Sequence, residues 1–311
     1  MSSLRERLFT WQQRRAPYVF IAPFIILFLT FGLYPLVKSL ILSFYITAGP
    51  TNQVFVGLEN FRFLLTDPDF CTAVVNTSVF ALASVGIQLP LSLALALMLN
   101  HRFLKGRSAF RLAFFSPRLV GMVFVGVLFS LIFATRFGLL NVVLHDATAG
   151  LFGDDAAFPL STAWLGNKSL VMPALVLTSL WLYVGFNMIY FLAALQNVDE
   201  ALYEAAMVDG AGPVARFRHV TLPGIKPVAV FVVVLSTIGS FQLFELPYLM
   251  LNNSAGPGKA GLTVVMYLYQ NGFVSGDLGY ASTIGWTLAA GVLLLALVQM
   301  RLSGTMRKGG Q

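Results

Sequence analysis

The sequence predicts an all-α integral membrane protein with six transmembrane helices, and three observations support that fold class. Of the 311 residues, 57% are hydrophobic and only 11% are charged, whereas soluble domains carry about 25% charged residues. Mean hydropathy is +0.79. Six apolar stretches reach the roughly 20 residues that a helix needs to cross a bilayer. So few charges do not cover the surface of a soluble protein of this size.

The six stretches define the predicted spans and their irregularities. They cover residues 17–44, 72–100, 114–134, 170–195, 227–251 and 280–300. Four prolines lie in or near them, namely Pro23, Pro35, Pro90 and Pro173. A proline inside a helix removes a backbone hydrogen bond, which neighbouring helices can replace in a membrane. We therefore expect kinks at these positions.

The distribution of Lys and Arg predicts which connections face the cytoplasm. Cytoplasmic loops carry an excess of these residues, and one set of connections holds 14 of the 20. These are Arg5, Arg7, Arg14, Arg15, Arg102, Lys105, Arg107, Arg111, Arg216, Arg218, Lys226, Arg301, Arg307 and Lys308. We predict a multi-pass protein of the inner (plasma) membrane, with cytoplasmic tails at residues 1–16 and 302–311 flanking a membrane domain of residues 17–301. The first apolar run lacks a cleavage site, so we expect it to remain as a span.

Composition excludes several classes of site. Cys71 is the only cysteine, and the three histidines lie far apart without metal-ligand spacing. We therefore predict no disulfide, no metal site and no cofactor on this chain. The net charge is +7, but the basic residues form short clusters between apolar runs, so the predicted partner is the lipid bilayer and not nucleic acid.

The connections predicted to face outside are moderate in size. Residues 55–70 mix aromatic and acidic side chains and are expected to form short helices at the outer surface. Residues 136–168 contain several Gly and Pro residues and predict an ordered loop or an interfacial helix. We find no internal duplication, which argues against a secondary carrier built from inverted repeats.

The connection between the fourth and fifth spans, residues 196–226, is predicted to form two helices joined by a glycine turn. Residues 199–209 are rich in helix formers, and the acidic residues at their start complement the helix dipole. Gly210 ends this helix, and Pro213 suits the first turn of the next. Leu222-Pro223 is expected to stop the second helix.

One side of the first helix in this connection carries small side chains. Ala205 and Ala206 allow the surface of another protein to approach its backbone closely. Helix physics alone leaves a second interpretation open, in which the hairpin is a solvated connector between two spans.

The residues of this connection resemble a known motif. Glu204-Ala205-Ala206, then Gly210, then Val220-Thr221-Leu222-Pro223 is similar to the EAA loop of binding-protein-dependent ABC importer permeases; only Val220 departs, where the family usually has Ile. Other residues extend the resemblance to nearly the whole chain and to the carbohydrate and glycerophosphodiester branch. They are Asp209, Ala211, Phe217, Pro227, Tyr34-Pro35, residues 55–61 and Asn76-Thr77.

The resemblance implies a type I ABC importer permease that pairs with a second permease subunit. It also implies two copies of a cytoplasmic ATPase, which would hold the ATP and Mg, and an extracytoplasmic solute-binding protein. The chain has no G-x-x-x-x-G-K-[ST] phosphate loop, so we expect a transport subunit and not an enzyme. The coupling residues that the motif implies are Glu204, Ala205, Ala206, Asp209, Gly210, Leu222 and Pro223.

Polar residues in the fifth span predict a substrate site for a sugar or oligosaccharide. Polar groups inside a membrane usually face a cavity or another helix. Gln242 and Glu245 are three residues apart and are expected to share a helix face, with Phe241 and Tyr248 near it. By resemblance, counting back from Gly256-Pro257 puts Phe241, Gln242 and Glu245 at sugar-contacting positions. Glu245 pairing with a basic residue of the partner permease, and Phe241 as ordinary packing, remain open.

The fourth span offers further candidates. Trp181 and Asn187 lie near mid-membrane, beside Tyr183 and Tyr190. Asn187 suits substrate binding, but helix packing is the commoner use of such a residue. Arg118 is expected to extend its side chain to the cytoplasmic interface.

Three other functions are kept as alternatives. One is a glycerophospho-compound importer. The second is a membrane enzyme that uses Glu245 and His145 as acid and base, although no catalytic spacing supports it. The third is a stand-alone secondary carrier or channel, which would need no ATPase.

Overall fold

The computed structural model describes residues 4–49, 52–101, 105–154 and 157–304, with side chains from residue 15 onward. Among the residues used to predict orientation, Arg102, Arg307 and Lys308 lie outside the described residues, as do the side chains of Arg5, Arg7 and Arg14. The chain divides into two compact units. One unit comprises residues 1–64 and 268–286, and the other comprises residues 65–267 and 287–311.

The first unit begins with one long helical run. It consists of α1 (Leu4–Leu27), a π-helical segment (Phe28–Leu33) and α2 (Tyr34–Leu42). The π segment directly precedes the predicted kink at Pro35, whose missing N–H cannot bond to the carbonyl four residues earlier. None of the most apolar stretch of this run is buried within the chain.

A β-hairpin follows that the sequence did not reveal. Strand β1 (Tyr45–Ala48) pairs antiparallel with β2 (Asn52–Phe55), and α3 (Glu59–Thr66) comes next. Four-residue strands are too short to stand out in the hydrophobic pattern. Asn60 holds the hairpin by donating to the carbonyls of Ser43 and Tyr45. The short helix expected within residues 55–70 is confirmed as α3.

The remaining helices run from residue 68 to residue 302. They are α4 (Pro68–Asn100), α5 (Arg107–Phe115), α6 (Met122–Ile132), α7 (Leu139–Phe152), α8 (Lys168–Gln196), α9 (Glu200–Val208), α10 (Pro213–Arg216), α11 (Leu222–Phe241), α12 (Glu245–Met250), α13 (Val264–Tyr269) and α14 (Leu278–Leu302). Helices α4 and α8 continue through Pro90 and Pro173 without a break. The helix α7 agrees with an ordered segment within residues 136–168.

Five helical runs are long and apolar enough to cross a membrane. They are Arg15–Leu42, Pro68–Asn100, Lys168–Gln196, Pro213–Phe241 and Leu278–Leu302. A sixth span results only if the bent pair Arg107–Leu119 and Met122–Ile132 counts as one. The chain is therefore a multi-pass membrane protein, and its described residues contain five or six candidate spans.

The third predicted span is wrong as one continuous helix. The chain leaves α5 through a 3₁₀ turn at Ser116–Leu119, and the two helices are bent by 97°. Pro117 lacks a backbone donor, and Gly121 has a low helix propensity. Val120 and Gly121 accordingly adopt extended backbone conformations between the two helices.

The fifth predicted span is also wrong in its bounds. The helical run starts earlier, at Pro213, and ends at Phe241; α12 starts at Glu245 after a break. Pro247 explains the break, because a proline is tolerated in the first turn of a helix but not in its interior.

Two apolar clusters form the core of the second unit. One joins α4, α6, α8 and α12, with Val125, Leu175 and Leu246 fully or almost fully buried. The other joins α4 and α8 to the first half of α11, where Ile225 and Val232 are buried. These clusters fix the breaks near residues 120 and 243 to the long helices.

Candidate functional site

The structure contains the predicted hairpin at residues 199–223. Asp199 begins α9 by accepting a hydrogen bond from the Ala201 N–H at 2.9 Å, as an N-cap does. Gly210 ends the turn with φ of +77°. The Ala211 N–H bonds to the Ala206 carbonyl and the Gly210 N–H to the Met207 carbonyl, which is a Schellman motif. The helix and glycine turn predicted for this segment are confirmed.

The predicted end of the second helix is wrong. Leu222-Pro223 does not stop it, because α10 passes through a π-helical segment (Phe217–Thr221) into α11. The Leu222 N–H bonds to the Phe217 carbonyl in this segment. Proline at position 223 has no N–H to offer, and a π turn is one way for a helix to absorb that loss.

The seven predicted coupling residues lie in the hairpin and at the start of α11, with different exposures. Glu204, Ala205, Asp209, Gly210, Leu222 and Pro223 are exposed, and Ala206 is half-buried. Helix α9 also exposes Leu202, Met207 and Val208, of which Val208 is 88% exposed. Met207 and Val208 follow Glu204 by three and four residues and so lie on its side of the helix. A small apolar surface beside Glu204 is therefore open to another protein.

A second site is a cavity of about 350 Å³ within the second unit. It is lined by α4, α8, α11 and the two helix breaks. Its polar and charged lining residues are Gln88, Arg118, Ser179, Tyr183, Asn187, Ser236, Ser240, Gln242 and Glu245. Hydroxyl and amide groups thus line a cavity between helices that are otherwise apolar.

Gln242 and Glu245 both line the cavity, but not from one helix face as predicted. Gln242 follows the last residue of α11, and Glu245 is the first residue of α12. The break between them, and not a shared helical period, brings both side chains to the cavity.

Three predicted substrate residues lie elsewhere. Phe241, Tyr248 and Trp181 are not among the lining residues. Tyr248 stacks on Phe244 with ring centres 5.0 Å apart. Trp181 packs against Phe129 with ring centres 5.3 Å apart.

Asn187 lines the cavity and also joins two helices. It is 4% exposed, and its amide donates to the Ser236 hydroxyl on α11 at 3.4 Å. This contact is the helix-packing use of an intramembrane asparagine. His145, in contrast, bonds to the Phe158 carbonyl at 2.9 Å and does not line the cavity with Glu245.

Arg118 corrects another prediction, because its side chain turns into the cavity. Its guanidinium carbon lies 5.3 Å from the centre of the Tyr183 ring and 5.6 Å from that of Phe186. The break after α5 produces this direction, which a continuous span could not reveal. Gln88, Ser179, Tyr183 and Ser240 also line the cavity, and their polar character inside apolar spans was the available signal.

Helices α6 and α12, which follow the two breaks, pack against one another. A Cβ atom added to Gly126 of α6 would lie 2.6 Å from the Cβ of Leu249 in α12. This close approach places Arg118 and Glu245 on one cavity, one at each break.

Comparison with known proteins agrees with these features. The model of a family described as binding-protein-dependent transport system inner membrane component matches residues 88–308. The arabinooligosaccharides transport system permease protein AraP of Bacillus subtilis is 38% identical over 300 residues, covering 96% of this chain and 92% of that protein. The lactose transport system permease protein LacF of Rhizobium radiobacter is 35% identical over 284 residues, covering 91% and 92%.

A solved structure has the same fold. It is a bacterial alginate ABC transporter in complex with an alginate pentasaccharide-bound periplasmic protein, and its matching chain superposes with a TM-score of 0.80. The match covers 98% of this chain and all of the other at 24% sequence identity. At that identity the match shows the fold alone.

Proposed function

Because the chain belongs to the family of binding-protein-dependent transport system inner membrane components, we propose that it is the permease subunit of an ATP-driven importer for a sugar or oligosaccharide. The substrate crosses by alternating access of the cavity to the two sides of the membrane. The chain itself forms and breaks no covalent bond.

The hairpin supports a division of labour with an ATPase. Its exposed apolar residues and Glu204 offer a protruding surface, and the Schellman turn keeps α9 in a fixed shape. Two copies of a cytoplasmic ATPase, holding ATP and Mg, supply the energy. The hairpin then lies in the cytoplasm, as do both termini, which agrees with the excess of Lys and Arg on that side.

The other partners follow from the same assignment. A second permease subunit completes the pathway, and an extracytoplasmic solute-binding protein delivers the substrate.

The cavity is the observation that carries the sugar assignment. Its hydroxyl and amide groups suit the many hydroxyls of a glycan, and Tyr183, Phe186 and Phe244 suit the apolar ring faces. Arg118 and Glu245 contribute one charge of each sign, so the lining has no net charge. A neutral oligosaccharide fits this lining better than an anion does.

One observation favours the second candidate, a glycerophospho-compound importer. Arg118 reaches the cavity, and a guanidinium group binds phosphate well. Glu245 on the same cavity would repel that phosphate, so the neutral sugar remains our main proposal.

Copurification tests the assembly, and uptake tests the substrate. A tagged chain is extracted from its native membranes in mild detergent, and bound proteins are identified by mass spectrometry. We expect an ATPase, a second permease and a solute-binding protein. Recovery of the chain alone from membranes where it is abundant and folded would favour the secondary carrier.

The purified assembly is then placed in liposomes with its solute-binding protein. Arabinotriose, lactose, an alginate trisaccharide and glycerol 3-phosphate are offered in turn. ATP-dependent uptake of a neutral glycan supports the proposal, and uptake of glycerol 3-phosphate alone would replace it with the second candidate.

A further inference from the structure

Helix α9 has few ties to the rest of the chain. None of its residues is buried, and only Tyr203 and Ala206 are partly shielded. Across the part of the chain that the structure describes, one side-chain hydrogen bond joins α9 to another element. It links the Tyr203 hydroxyl and the Thr221 hydroxyl at 3.0 Å.

Thr221 stands where the hairpin passes into the long helix. It is 4% exposed, ends the π segment and directly precedes α11. Helix α11 is anchored in the core by Ile225 and Val232, and its far half lines the cavity through Ser236 and Ser240. A displacement of Thr221 therefore moves the start of a helix that reaches the cavity.

The turn alone makes a weak mechanical link. The arms also approach each other at the base of the hairpin, where a Cβ atom added to Gly224 would lie 2.8 Å from a methyl carbon of Val198, but neither point holds the middle of α9. The hydrogen bond between the two arms adds a fixed point within α9 itself. With this point held, movement of α9 reaches α11 directly and not only through bending of the chain.

We propose that Tyr203 is a positioning residue that passes the movement of α9 to α11 through its hydrogen bond to Thr221. The inference rests on the proposed function, in which an ATPase moves α9. It identifies the hydroxyl pair as the part of the hairpin that converts this movement into a change at the cavity.

The test measures coupling in liposomes that contain the whole copurified assembly, its solute-binding protein and arabinotriose as the probe. The readout is the amount of arabinotriose taken up per ATP hydrolysed. We expect Tyr203→Phe and Thr221→Val each to lower this ratio about fivefold, the change that corresponds to one ordinary hydrogen bond. ATP hydrolysis continues in both variants.

Three further variants distinguish loss of the Tyr203–Thr221 hydrogen bond from a general structural effect of the substitutions. The double variant is expected to be no worse than either single variant, because both remove the same bond. Thr221→Ser keeps the hydroxyl and is expected to restore the ratio. Thr72→Val removes a hydroxyl that bonds to the Pro68 carbonyl of its own helix and is expected to leave the ratio unchanged.

The outcomes also separate this inference from the proposed function. Wild-type coupling in Tyr203→Phe and Thr221→Val overturns the inference while the importer assignment stands. A proportional fall of uptake and hydrolysis together with lost assembly also overturns it, because the bond would then be only structural. Absence of ATP-driven uptake of any probe by the wild-type assembly overturns the proposed function itself.

Discussion

The guanidinium carbon of Arg118 lies 5.3 Å from the centre of the Tyr183 ring, within the range of a cation–π contact. The contact joins the break after α5 to the middle of α8, which packs along α4 and α11. Glu245, at the second break, lines the same cavity as Tyr183 and Arg118. The cavity therefore brings α8 together with both helix breaks.

Loss of the Arg118 guanidinium is expected to impair transport. Arg118→Gln removes the cation that lies over Tyr183, and we expect about tenfold slower uptake of arabinotriose, from a contact worth roughly 1 to 2 kcal/mol. Arg118→Lys keeps the charge but not the planar stacking, so its uptake rate should lie between those of the wild type and Arg118→Gln. Arg136→Gln, at an exposed position, is the control. Wild-type uptake by Arg118→Gln would show that the contact has no part in transport.

Neutralising Glu245 is expected to change which substrates the cavity accepts. Glu245→Gln leaves Arg118 as the only charged group of the lining, so the cavity becomes positive. We expect uptake of the alginate trisaccharide relative to arabinotriose to rise about tenfold, the effect of roughly 1.4 kcal/mol. The comparison uses a solute-binding protein that delivers both glycans, with Glu200→Gln as an exposed control. An unchanged ratio would count against Glu245 as a group that faces substrate.

Substitutions at Gly210 test the backbone conformation of the turn without introducing a steric clash. Its φ is +77°, and a Cβ atom there would meet nothing within 4 Å. Gly210→Val is therefore expected to strain the backbone by about 1 to 2 kcal/mol and to abolish most ATP-driven uptake. Gly210→Asn should retain more uptake, since asparagine tolerates this region.

The matched control for the turn is two residues away. Gly212 also has open space around its Cβ position, but its φ is −68°. Gly212→Ala should therefore transport like wild type. Equal uptake by Gly210→Val and Gly212→Ala would contradict the role given to the turn.

Much of this architecture could be predicted from residue patterns. Four predicted spans lie within a few residues of the observed candidate spans, and Gly210 marked the turn, because apolar length and glycine chemistry act locally. The helix breaks were missed, since Pro117 and Pro247 lie in apolar sequence that hydropathy alone reads as continuous. The direction of Arg118 and the separation of Tyr248 from the cavity depend on those breaks.

The contact between α6 and α12 gives a final prediction about stability. Gly126 leaves no room for a side chain, because its added Cβ would lie 2.6 Å from the Cβ of Leu249. Gly126→Val is expected to destabilise the protein by about 1 to 3 kcal/mol, the usual cost of overpacking. The measurement is the thermal unfolding midpoint of the purified protein in detergent.

Rescue shows whether that cost arises at this contact. Leu249→Ala removes the outer side-chain atoms that also crowd Gly126, although its Cβ remains. We therefore expect Gly126→Ala with Leu249→Ala to be more stable than the sum of the single changes predicts. Gly150→Ala, in α7 with open space around it, should be neutral. Strict additivity of the two changes would mean that the outer side-chain atoms of Leu249 do not contribute to the crowding at Gly126.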